Sequence, residues 1–210
     1  MPMTMSSTLK SLVLGALLTA PFAAQAESTF QTGTGTPLTA DARVDFQIRI
    51  PKILFLQVGT GTLYASNTAV NLIDFDVPAA SVGNGTAVAA TLASGDLSNG
   101  AVTAIVRGNN GTVTLNANAT GALSNAAGDT IDYSQIITTA SNLTTATILD
   151  APVLANGAST TVTVNPSPSK VVDRNARWTY TYANSALAAP GTYGGVNLNH
   201  GRVTYTASMP

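Results

Sequence analysis

A chain of 210 residues with 9% charged positions, a formal net charge of −1 and no cysteine excludes several classes of protein at once. It has no basic footprint for nucleic acid, no polybasic cluster for anionic membranes, and no thiol for catalysis, disulfides or Cys-bound metal. The length suits one domain with a two-sheet core.

Met1–Ala26 reads as a secretory signal. Lys10 supplies the positive charge, Leu12, Val13, Leu14, Leu17 and Leu18 the apolar run, and Ala24-Gln25-Ala26 the small-x-small cleavage pattern. The run is shorter than the roughly 20 apolar residues that span a bilayer, and no later stretch is a membrane anchor. The mature protein is therefore expected to begin near Glu27 and to be exported to the periplasm, cell surface or medium, with no integral membrane segment. Residues 27–42, rich in Thr and Gly, predict a flexible lead-in. Residues 43–210 predict a single β-sandwich domain.

Val44, Phe46, Ile48 and Ile50 alternate with Asp45, Gln47 and Arg49, the pattern of a strand with one buried face. Pro51 interrupts the run, and Ile53–Val58 continues it, which predicts an edge strand with a kink. Further strands are predicted at Leu72–Val77, Ala87–Leu92, Ala101–Arg107, Thr112–Ala117, Ile131–Thr138, Ser159–Val164, Ala176–Tyr182 and Arg202–Ala207. Asn-Gly-type turns separate them, at Gly83-Asn84-Gly85, Ser98-Asn99-Gly100, Asn109-Asn110-Gly111, Asn156-Gly157 and Asn199-His200-Gly201. Asn165-Pro166-Ser167-Pro168 reads as a rigid connector. Short strands at this spacing, with no amphipathic helix in the mature region, predict an all-β sandwich or barrel.

Gly121-Ala122-Leu123-Ser124-Asn125-Ala126-Ala127-Gly128-Asp129-Thr130-Ile131-Asp132-Tyr133 resembles the "G-x-L-x-N-G-x-G-D-x-I-x-Y" passage of pilin-like bacterial β-sandwich subunits, the chaperone–usher fimbrial and spore coat U groups. Pro190-Gly191-Thr192-Tyr193 followed by Val203-Thr204-Tyr205-Thr206 resembles their closing passage. The resemblance implies an immunoglobulin-like two-sheet antiparallel sandwich, export, and assembly with other envelope or surface subunits. In chaperone–usher pilins the sandwich lacks its last strand, and the alternating N-terminal extension of a neighbour fills the gap. This chain departs from the pattern in lacking the family's cysteine pair and in lengthening the closing passage by Gly194–Gly201, an extra hairpin strand that would close such a gap from within. Residues 27–42 offer only Phe30 and Leu38 as sizeable apolar groups, too few to fill a row of pockets. Val44–Ile50 would be a donor only if its own domain did not need it. The expectation is a self-complete fold, monomeric or weakly associated.

Catalytic signals are thin. His200, the one histidine, lies in a turn-forming Asn-His-Gly and has no Gly-x-Ser-x-Gly elbow to serve. Asp74 and Asp76 flank Phe75 and share a strand face, which reads as a solvated face, a calcium-binding pair, or half of a hydrolase site. Asp129 reads as a turn residue. Gly33-Thr34-Gly35 and Gly59-Thr60-Gly61 lack the Lys and following helix of phosphate loops. Trp178, Tyr180 and Tyr182 share one face of a strand and form either core or an exposed platform for sugar rings. The residues thus predict a non-enzymatic exported structural or surface subunit without cofactor or metal. A carbohydrate- or surface-binding module on the aromatic strand is the alternative, and a secreted hydrolase a more distant one.

Overall fold

The computed structural model describes residues 28–144 and 147–210. The predicted signal peptide lies outside them. The chain divides after Ile50. In the N-terminal unit, residues 28–50 form neither helix nor strand and are exposed at every position.

In the second unit, Pro51–Pro210, alternation builds two antiparallel sheets. The first contains β1 (Leu54–Val58), β2 (Val88–Ala89), β3 (Ala101–Gly108), β7 (Ile136–Ser141) and β9 (Val172–Tyr182). The second contains β4 (Val113–Ala119), β8 (Ser159–Val164) and β10 (Val203–Ser208), in the order β10-β4-β8. A two-stranded ladder joins β5 (Leu123–Ser124) to β6 (Thr130–Ile131).

The register sets the layout. The long strand β9 pairs with β3 from Val172 to Thr179 and with β7 from Arg177 to Tyr182. The overlap of these two ladders puts β3 and β7 on opposite edges of β9, and β1 lies outside β3. Val102, Ala104 and Val106 of β3 and Ala176, Trp178 and Tyr180 of β9 face Val113, Leu115 and Ala117 of β4 across one buried core. Trp178 and Tyr205, one from each sheet, pack in a tilted pair with ring centres 5.4 Å apart. This is an all-β antiparallel sandwich.

The outer face of the β10-β4-β8 sheet has no ionisable side chain. It presents Thr204 and Thr206 of β10, Asn116 and Asn118 of β4, and Thr161 and Thr163 of β8, with Thr161 donating to Asn116 Oδ1 at 2.7 Å. Charge gathers instead on the other sheet, where Arg107 Nε meets Asp173 Oδ1 at 2.8 Å.

The turns follow their chemistry. Ser98, Asn99 and Gly100 all take positive φ between the loop after β2 and β3. Gly100 cannot be replaced cheaply, because a Cβ there would lie 2.6 Å from the Ala90 Cβ. In the passage resembling pilin-like subunits, Asn125 Oδ1 accepts from the amides of Ala127 (3.0 Å) and Asp129 (2.8 Å), shaping the turn between β5 and β6.

Four predicted strands differ. Val44–Ile50 has no ladder partner, so the sheets begin at Leu54. Leu72–Val77 alternates half-buried and exposed but makes no ladder; its Asp74 carbonyl oxygen accepts from the Thr91 amide at 2.8 Å, just past β2. Ala87–Leu92 pairs only at Val88 and Ala89, because the chain then turns. Ile131–Thr138 is split by a 3₁₀ turn at Tyr133–Gln135, which buries Tyr133 between β6 and β7. The extra hairpin expected at Gly194–Gly201 is a series of turns with positive φ at Gly194, Gly195, Asn197, Asn199 and His200, a conformation that strands do not use.

Candidate functional site: an open apolar groove

β1 bonds only to β3, and β10 only to β4, so each leaves one edge without a strand neighbour. β1 runs antiparallel to β3, and the Thr60 amide, just past the end of β1, donates to Asn71 Oδ1 at 2.7 Å. A groove of about 1180 Å³ is lined by residues of β1, of the segment 69–77 and of β10, and β1 and β10 approach each other closely along part of their length. One wall is Leu56, Val58, Ile73 and Phe75; the other is Val203 and Tyr205; Val102, Tyr180 and Tyr182 form the floor. The wall residues pack against the core yet are only partly buried. In a finished sandwich such side chains would be covered.

Three of the hydroxyls that line the groove have partners. The Tyr180 and Tyr205 hydroxyls pair at 2.9 Å, and the Tyr133 hydroxyl donates to the His200 carbonyl oxygen at 2.6 Å. What the groove offers an occupant is mainly apolar surface, with Asp74, Asp76 and Arg202 also in its lining, while residues 60–69 lie beside β1. Residues 188–193 and 195–197, with Gly201, line one part of it.

Burial pushes the Tyr180 phenol from 10.0 to about 12, opposed in part by its bond to Tyr205, and burial alone pushes Tyr133 to about 12. Both hold their protons more tightly folded than unfolded, so the stability they carry is complete below the ordinary phenol value and is lost as pH rises from about 10 through 12. For Tyr180 the loss is on the order of 2–3 kcal/mol. Urea unfolding at about pH 8 and about pH 12 checks this, with a smaller decline expected in Tyr180→Phe.

The other sites proposed from sequence do not assemble. Of the two readings of this strand face, core and exposed platform, the burial matches core: Trp178, Tyr180 and Tyr182 are all buried, Trp178 completely. Inward is the only direction that covers this face of β9, and Trp178 Nε1 donates to the Leu149 carbonyl oxygen at 2.7 Å there. Asp74 and Asp76 are exposed and alternate with half-buried Ile73, Phe75 and Val77. Among the described residues no group of three or more His, Cys, Asp or Glu side chains could hold a metal ion. His200 and Asn199 both have positive φ, and His200 Nδ1 lies 3.0 Å from the Ala122 carbonyl oxygen, the arrangement of a turn residue. Among the described residues no helix is long and apolar enough to cross a membrane.

The residues alone do not locate the groove. Ile73, Phe75, Val203 and Tyr205 alternate as any half-buried strand does, and only the sheet order reveals that their neighbour is missing. No family model, no curated protein and no solved structure matches the chain.

Proposed function

We propose that this protein is an exported, non-enzymatic structural subunit that assembles by strand addition, the segment Val44–Ile50 of one copy filling the groove of the next. The observation that supports this reading is the largely apolar groove beside β1 and β10, two strands that each have a single ladder partner. The occupant follows from the chain itself. Val44, Phe46, Ile48 and Ile50 are 70%, 89%, 83% and 78% exposed, a row of large apolar groups left in water. Their period of two matches an extended strand with one apolar face, and Asp45, Gln47 and Arg49 would face solvent. Covering each such side chain is worth roughly 1.5–3 kcal/mol, and the unpaired strand edges supply backbone partners. The pilin-like strings at Gly121–Tyr133 and Pro190–Tyr193 agree with an envelope or surface role.

Size-exclusion chromatography with light scattering, and electron microscopy, of residues 27–210 test this. Linear multimers are expected. Removing residues 27–50 should leave folded monomers whose melting temperature rises when a peptide of residues 43–51 is added. Full-length protein that stays monomeric, or a peptide without effect, would overturn the reading.

A further inference from the structure

A tethered arm reaches effective concentrations in the millimolar range unless its linker cannot span the distance. An arm that completes a groove of this kind should therefore occupy its own copy's groove before any other, unless something forbids it. Val44–Ile50 joins β1 through only Pro51, Lys52 and Ile53. Proline suits the second position of a tight turn, so a reversal here would fold the arm back along the free edge of β1. That would close the domain on itself.

The side chain of Asn109 stands against that reversal. Asn109 follows Gly108, the β3 partner of Leu54 at the start of β1. Its Nδ2 donates to the Pro51 carbonyl oxygen at 2.8 Å, and its Oδ1 accepts from the Ile53 amide at 2.9 Å. One amide thus bonds to the carbonyl of one residue and the N–H two residues on. In extended chain these two groups lie on the same side, where a parallel neighbour would bond them. Lys52, between them, donates from Nζ to the Pro210 carbonyl oxygen. Hydrogen bonds from Asn109 and to Pro210 thus tie down all three root residues where they lead into β1, and Ile50 is itself steered to extended backbone by the proline after it.

Resting on the strand-addition reading, we propose that Asn109 is a positioning residue for assembly: by tying down Pro51–Ile53 it denies the arm its own groove and leaves only that of another copy. It decides between a closed monomer and a chain of subunits without touching the groove.

The test compares residues 27–210 carrying Asn109→Ala with the unaltered protein, by light scattering and by limited proteolysis of the arm in the monomer fraction. A second variant inserts two glycines between Ile50 and Pro51, which frees the arm to reverse while leaving the domain and Asn109 intact. Both variants should raise the ratio of monomer to multimer by at least about tenfold at micromolar protein, as a millimolar intramolecular competitor would. In both, the arm of the monomer should resist protease, whereas the arm of diluted unaltered monomer should be cut. Asn109→Ala protein that assembles as the unaltered protein does would overturn the proposal, as would a monomer with a cleavable arm. Protection is read on monomers, so it reports on Asn109 even if the unaltered protein fails to form multimers, the result that would sink the strand-addition reading.

Discussion

Trp178→Ala should lower the unfolding free energy by about 3–5 kcal/mol, the range for deleting a large aromatic from a core. The residue is fully buried at the centre of β9 and packs against Tyr205 of the opposite sheet. Its removal leaves a hole where both sheets meet and strips the Leu149 carbonyl of its donor. Trp178→Phe separates the two effects. It keeps much of the volume but orphans the carbonyl, which by itself costs about 1–3 kcal/mol. Urea titrations of all three proteins check the pair, and a loss below about 1 kcal/mol for the alanine variant would contradict the core assignment.

Asn184→Ala is expected to cost on the order of 3 kcal/mol, a large effect for so small a side chain. Asn184 is 1% exposed, directly after β9, and has positive φ. Its Oδ1 accepts from the Gly83 amide at 2.8 Å, and its Nδ2 donates to the carbonyl oxygens of Ser81 (2.6 Å) and Thr86 (3.2 Å). One amide thus shapes the Gly83-Asn84-Gly85 turn from a hundred residues away in sequence. Alanine leaves these backbone groups unpaired and also tolerates the left-handed backbone less well than asparagine. Asn184→Asp should be no better, because a carboxylate can still accept from Gly83 but cannot donate to Ser81. Thermal and urea unfolding measure both, and a change under about 0.5 kcal/mol would refute this role.

The strands with clean alternation were legible. Ser159–Val164 forms β8 with the predicted bounds, and β3, β4 and β10 lie within about two residues of theirs, because period-two burial and Asn-Gly turns fix both face and ends. β9 begins four residues earlier than the apolar pattern suggests, at Val172. Asp173, Arg174 and Asn175 look like loop but pair with β3, and Asn175 is buried with its side chain bonded to Thr144. The most instructive difference is Val44–Ile50. Its alternation is as regular as any in the chain, yet it has no ladder. A period of two states which face of a strand wants cover, not which chain supplies it. The groove was hidden for the complementary reason, since a missing neighbour leaves no mark on the residues that flank the gap.

The hydroxyl and amide face of the β10-β4-β8 sheet has a consequence of its own. Salt acts on protein surfaces chiefly by screening charges beyond a Debye length, about 8 Å at physiological ionic strength, and pH acts by titrating them. Thr204, Thr206, Asn116, Asn118, Thr161 and Thr163 give neither anything to work on. This face therefore brings no charge of its own for salt to screen or acid to titrate, while the Arg107–Asp173 pair weakens as ions are added.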